Sequence, residues 1–214
     1  MADSNIHTEE DFKRVYSGRE WIFYRNLVAD CIAKGEPGPI LDLGAGLGLF
    51  VEACKRYGLQ CIGLEGSEYA VEAARRRYPI EIYRHHLSQP FFFKDESFSV
   101  VMCNQTIEHV SNETAKFLLQ ESYRVLRQGG VMIINSPCRY DSVQRKEITH
   151  INLYTPSSLR RDVLAAGFAR YLPKNHPRPF LGKNRLATYM ARLLFRLFPA
   201  DSLSATANCL AYKL

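Results

Sequence analysis

The sequence predicts an α/β chain: a parallel, doubly wound sheet sandwiched between helices in three layers. Three observations lead there. Short, almost wholly apolar runs alternate with stretches of helical spacing, the pattern of strands buried on both faces between crossover helices. The first apolar run, at residues 40–43, passes straight into Gly44-Ala45-Gly46-Leu47-Gly48 and then a helix. Finally, 214 residues at 46% hydrophobic and 23% charged are enough for a domain that buries about 70% of its unfolded surface without disulfide or metal.

The elements follow in order. Residues 1–18 are polar and carry no predicted element. Residues 19–34 place Trp21, Tyr24, Leu27, Val28, Cys31 and Ile32 at helical spacing and stop at Gly35. A loop rich in Gly and Pro precedes the first strand, 40–43. The helix after the glycine turn carries Phe50, Val51, Cys54 and Tyr57 and stops at Gly58. Residues 61–65 are the second strand. Ser67 caps the next helix, which Pro79 ends. Residues 80–84 and 98–103 are strands three and four. Ser111 caps a helix with Ala115, Leu118, Leu119, Ser122, Val125 and Leu126 inward, closed by Gly129-Gly130. Residues 131–135 are strand five. Thr155-Pro156 starts a helix with proline in its first turn, ending at Gly167. Residues 168–172 are a sixth strand, 185–198 a further helix and 207–214 a last strand. The domain reading is an N-terminal helical cap at 1–38, a core at 39–172, a basic amphipathic insertion at 173–206 and the closing strand at 207–214.

Composition excludes several classes. No apolar run reaches the 18 residues of a membrane span. The start, Met1-Ala2-Asp3-Ser4-Asn5, has neither the basic nor the apolar region of a secretory signal, which points to the cytoplasm. The six cysteines show no C-x-x-C pair and sit in apolar surroundings, as reduced core thiols do. Residues 151–214 hold ten Lys and Arg against Asp162 and Asp201, a net +8, within a total of +6. A basic segment suits an anionic partner. Its 185–198 stretch sets Leu186, Tyr189, Met190, Leu193, Leu194 and Leu197 beside Arg185, Arg192 and Arg196. That pattern packs over the pocket or sheet, or makes peripheral contact with an anionic membrane.

The glycine turn selects a ligand class. A Gly-rich strand-to-helix turn holds a nucleotide-like cofactor at the carboxyl edge of such a sheet. The dinucleotide pattern G-x-G-x-x-G fails here, because Leu49 stands at the third glycine. Asp42, two residues before Gly44, would repel a pyrophosphate and suits a cationic ligand such as S-adenosylmethionine. Glu65 ends the second strand, 21 residues after Gly44, where a carboxylate can accept both ribose hydroxyls.

On these residues the chain resembles class I S-adenosylmethionine-dependent methyltransferases of the small-molecule branch. Leu41-Asp42-Leu43-Gly44-Ala45-Gly46-Leu47-Gly48 matches that family's first motif, and Gly63-Leu64-Glu65-Gly66-Ser67 its ribose motif. Residues 95–101 resemble the approach to strand four, Ile107-Glu108-His109-Val110 the turn after it, and Leu126-Arg127-Gln128-Gly129-Gly130 the approach to strand five. Residues 150–168 resemble a segment of small-molecule members. The resemblance implies a Rossmann-like, mostly parallel sheet of seven strands with the last antiparallel. It also implies methyl transfer from S-adenosylmethionine to a small molecule. The cofactor residues it implies are Asp42, Gly44, Ala45, Gly46, Glu65, Gly66, His86, Leu87, Asn104 and Gln105.

Two positions depart from the family. The acid that usually follows strand three is absent from His85-His86-Leu87-Ser88, so backbone near His86 and Leu87 is expected to hold adenine. Quinone-ring O-methyltransferases read E-x-x-E-H at the turn where this chain has Gln105-Thr106-Ile107-Glu108-His109. The amide weakens a hard-cation site, and no metal is expected. A hydroxyl acceptor needs a base, for which His109 leads and His150 follows. Pro137-Cys138 follows strand five rather than strand four, which sets a cytosine-C5 nucleophile aside. An RNA-modifying enzyme and a non-catalytic cofactor-binding module are the competing readings. The lack of an appended RNA-binding pattern disfavours nucleic acid as a partner.

Overall fold

The computed structural model describes residues 8–176, 190 and 200–214. The expected 185–198 helix and its membrane-facing stripe therefore lie, apart from residue 190, outside the described residues. Among the described residues seven strands form one sheet: β1 (Ile40–Leu43), β2 (Cys61–Glu65), β3 (Glu81–Arg84), β4 (Phe98–Asn104), β5 (Leu126–Asn135), β6 (Arg170–Pro173) and β7 (Cys209–Tyr212). The spatial order is β3-β2-β1-β4-β5-β7-β6. β1 to β5 pair in parallel, and β7 runs antiparallel between β5 and β6. The chain winds outward from β1 to β3 and then returns to β4 on the other side of β1. The crevice at the carboxyl ends of β1 and β4 is thus the topological switch point, where ligands bind in open α/β sheets.

Strand residues alternate between two core layers, as period-2 side-chain geometry requires. Leu41, Leu43, Val101, Cys103, Met132 and Ile134 join α5 (Asn112–Val125) and α6 (Pro156–Ala165) on one face. Ile40, Val100, Met102, Val131 and Ile133 join α2 (Arg25–Lys34), α3 (Leu49–Arg56) and α4 (Glu68–Arg77) on the other. Ser67, Ser111 and Thr155 cap their helices as expected, each accepting a backbone N–H. All six cysteines are buried and unbridged. Among the described residues no helix is long and apolar enough to cross a membrane.

Four expectations need correction. Residues 1–18 do carry an element, α1 (Glu9–Tyr16), opened by a capping box between Thr8 and Asp11. The single helix expected over 19–34 splits into a 3-10 turn, Trp21–Tyr24, and α2, with Ile32 exposed rather than inward. β5 begins at Leu126, five residues early. The backbone leaves α5 directly into pairing with Phe98, and Gly129, at φ 78°, donates to the Lys213 carbonyl. β6 starts at Arg170 because Phe168 is held in the core.

Candidate active site

The glycine turn is shaped by what lies against it. Gly44 and Gly46 have φ of 72° and 53°, the left-handed region that side chains disfavour. A Cβ on Gly44 would strike the Thr106 side chain, and one on Gly46 the Tyr16 hydroxyl. Thr106 in turn donates its hydroxyl to the Leu43 carbonyl at 2.9 Å, tying the turn after β4 to the end of β1. Glu65 buckles the loop from the other side. Its Oε2 accepts the Gly46 N–H at 2.8 Å and its Oε1 the Ser67 N–H at 2.9 Å. Burial raises the Glu65 carboxyl, and the N–H groups of Ser67, Gly46 and Gly66 oppose the rise.

Asp42 lies beneath this loop, 4% exposed. Burial, and next the Glu65 carboxylate, push its carboxyl up to about 8. Neither acid has an ion-pair partner among the described residues. A buried carboxyl under a half-buried one, neither of them ion-paired among the described residues, makes a place for a cation.

A cavity of about 520 Å³ opens at this edge, within the range that takes a small ligand. Of the ten cofactor residues expected from sequence, Gly44, Gly46, Glu65, Gly66, His86, Leu87, Asn104 and Gln105 line it. Asp42 and Ala45 do not; both are buried behind the loop. Asn104 and Gln105 are fixed from β5: Asn135 donates to Asn104 Oδ1 at 3.2 Å, and the Gln105 N–H donates to the Asn135 carbonyl at 2.7 Å. Gln105 holds φ 55°, a strained backbone at the rim of the cavity.

His109 and His150 line the same cavity, their rings 4.8 Å apart. His109 Nδ1 meets the Thr149 carbonyl at 3.0 Å, and His150 Nδ1 the Gln144 carbonyl at 3.0 Å. A carbonyl only accepts, so each Nδ1 carries a hydrogen, and in the neutral ring Nε2 then holds the lone pair. Beside them Glu108 is fully buried, and neither carboxylate oxygen reaches a donor at hydrogen-bond geometry. Burial pushes its carboxyl up to about 7, with nearby backbone N–H groups and the Ser136 hydroxyl opposing. Glu108 and His109 on the turn after β4 and His150 on the loop after β5 bring ligand atoms within 4.8 Å of one another, close enough to share a metal ion.

The N-terminal cap supplies a wall that sequence reading missed. Phe12, Arg14, Val15, Tyr16, Arg19 and Tyr24 all line the cavity. Tyr24 and Tyr16 lie beside Arg19, and burial raises both phenols. Phe12 packs on Tyr69 with ring centroids at 6.2 Å, and Arg14 reaches Glu147 at 3.8 Å. The signals were present: a Thr-x-x-Asp cap, then Phe12, Val15 and Tyr16 at helical spacing.

Residues 41–134 match the family model described as a methyltransferase domain. The uncharacterized methyltransferase YcgJ of Bacillus subtilis is 28% identical over 144 residues, 64% of this chain and 55% of YcgJ. The ubiquinone biosynthesis O-methyltransferase of Pelagibacter ubique is 27% identical over 118 residues, 51% of this chain and 48% of that enzyme. The chain spans about half the length of these curated relatives. In fold it resembles a SAM-dependent methyltransferase from Archaeoglobus fulgidus: TM-score 0.67, 17% identity, 94% of this chain and 97% of that one. Residues 41–134 thus carry a match to a methyltransferase domain, and the sheet order, the glycine turn over Asp42 and the acid ending β2 sit in a fold shared with S-adenosylmethionine-dependent methyltransferases.

Proposed function

We propose that this chain transfers a methyl group from S-adenosylmethionine to an oxygen of a small-molecule acceptor: a metabolite, a quinone, a lipid or a sugar precursor. The observation that carries the reading is the pair of imidazoles, His109 and His150, in the cavity that the glycine turn and Glu65 also line. The cofactor supplies a methyl group already activated by its sulfonium. Asp42 and Glu65 provide negative field for its cationic end, and Glu65 sits where a carboxylate can accept ribose hydroxyls. His86 and Leu87 line the place proposed for adenine. The cap residues Tyr16 and Phe12 exclude water, and positioning of this kind accounts for most of a displacement at carbon. As the acceptor oxygen bonds to the methyl carbon, the carbon–sulfur bond breaks and the hydroxyl proton passes to an imidazole Nε2. The name of one relative, a ubiquinone biosynthesis O-methyltransferase, supports an oxygen acceptor. The cytoplasm is the compartment we propose, in keeping with six unbridged cysteines.

The test is the melting temperature with and without S-adenosylhomocysteine, with NAD as control. At about 100 times Kd a ligand adds roughly 2.7 kcal/mol, a rise of roughly 5–10 °C for a chain of this size. A rise with S-adenosylhomocysteine alone supports the reading and opens an acceptor screen. No rise at millimolar ligand overturns it in favour of a non-catalytic module.

A further inference from the structure

The loop after β5 has two faces. Gln144, Glu147, Thr149 and His150 turn inward and line the cavity. Between and beside them four large apolar residues are exposed: Tyr140 at 40%, Val143 at 71%, Ile148 at 89% and Ile151 at 55%. Isolated exposed apolar residues are ordinary, but four within twelve residues of one loop are a patch. Arg145 and Lys146 stand exposed between Val143 and Ile148. Neither forms an ion pair among the described residues. The acids of the loop are engaged elsewhere. Asp141 Oδ1 accepts the N–H groups of Val143 and Gln144 at 2.9 and 3.2 Å, and Glu147 faces Arg14 across the cavity. The outward face therefore presents apolar side chains and two uncompensated positive charges together.

We propose that the outer face of residues 140–151 docks on the surface of an anionic lipid bilayer, with the apolar side chains entering the headgroup region and Arg145 and Lys146 on the lipid phosphates. Aliphatic and aromatic residues beside Lys and Arg are the composition of interfacial binding segments, and both contributions are needed for a firm hold. Docking there sets the wall of the cavity against the membrane, so an amphiphilic acceptor reaches His150 without crossing bulk water. That consequence rests on the methyl-transfer reading; the docking itself does not.

The experiment is co-sedimentation of the full chain with vesicles of phosphatidylcholine and phosphatidylglycerol in equal parts, and of phosphatidylcholine alone, at low and high salt. One basic residue near such a surface is worth about fivefold in partitioning. Arg145→Gln with Lys146→Gln is expected to weaken binding to anionic vesicles about 25-fold. Val143→Ser with Ile148→Ser is expected to weaken it at least tenfold. Binding of the unaltered chain is expected to fall steeply at high salt and to be weak on phosphatidylcholine alone. Lack of binding to anionic vesicles overturns the proposal. So does binding that both double variants retain, which would assign the contact to another basic segment. The S-adenosylhomocysteine melting shift, measured on the same preparations, shows that the variants are folded. It also keeps failure of docking distinct from failure of the methyl-transfer reading.

Discussion

Replacing Asp42 by asparagine should make this protein more stable and a poorer binder of its cofactor. The carboxyl is held near 8 instead of its ordinary 3.8, by burial first and by Glu65 second. The folded chain therefore keeps a proton that the unfolded chain has released at neutral pH. A raised carboxyl makes stability fall as pH climbs from about 4 to about 8, after which it levels. At about 1.36 kcal/mol per unit, the cost at pH 7 is about 4 kcal/mol, and at pH 5 it is less than half of that. Asparagine keeps the shape and removes the titration. At about 2–4 °C per kcal/mol, Asp42→Asn should melt roughly 8–16 °C above the unaltered chain at pH 7, with less than half that gap at pH 5. Glu65, Tyr16, Tyr24, Cys31 and Cys61 also face Asp42 electrostatically, and taking the difference between the two proteins isolates Asp42. Cofactor binding moves the other way. A cationic ligand needs the ionised form, so affinity for S-adenosylmethionine, with its sulfonium and ammonium, should rise about 50-fold between pH 6 and pH 8 in the unaltered chain and lose that dependence in the variant. Scanning fluorimetry and calorimetric titration measure both. A variant that melts within about 2 °C of the unaltered chain at pH 5 and at pH 7 would refute the reasoning.

Other outcomes follow from the same geometry. His109→Ala or His150→Ala should lower kcat about 10²–10⁴-fold if that ring takes the acceptor's proton, while the S-adenosylhomocysteine melting shift stays intact; unchanged kcat removes the residue from the mechanism. Lys213→Ala should lower the melting temperature by roughly 5–15 °C. The buried ammonium donates to the Tyr123 and Leu126 carbonyls at 3.1 and 2.8 Å, and stripping it leaves both unpaired at about 2–4 kcal/mol. Turnover should survive dialysis against EDTA, as the amide at Gln105 predicts; loss restored by magnesium would instead make Glu108, His109 and His150 a working metal site.

Where the sequence was readable, local chemistry and burial agreed. β1 and β2 are short apolar runs between breakers, and the caps Ser67, Ser111 and Thr155 announce helices whose inward faces are mostly apolar. α1 was missed although its Thr8–Asp11 cap and the short stripe of Phe12, Val15 and Tyr16 were there. Phe12 is its single buried residue, and Arg14, Val15 and Tyr16 line the ligand cavity. A two-turn stripe inside a polar stretch is a weak signal beside those of the longer helices packed on the sheet. The start of β5 was misplaced because Gly129-Gly130 reads as a break, whereas pairing with β4 and β7 carries the backbone through it. Site residues that belong to motifs fell around one cavity. Tyr16, Arg19 and Tyr24 belong to no motif, and only the chain's path over Gly46 brings them there.

The place of β7 has a consequence for synthesis of the protein. Among the described residues β6 pairs with β7 alone, and β7 fills the gap beside β5. On the ribosome, β1 to β5 and their helices can assemble as soon as they emerge. β6 must then wait without a neighbour, and the flank of β5 stays open until residues 209–212 arrive. An unpaired strand edge is a template for pairing with another chain, so the interval between translation of β5 and of β7 is when this molecule is most open to misassembly. Chains cut short before Cys209 would lose two strands for the sake of one.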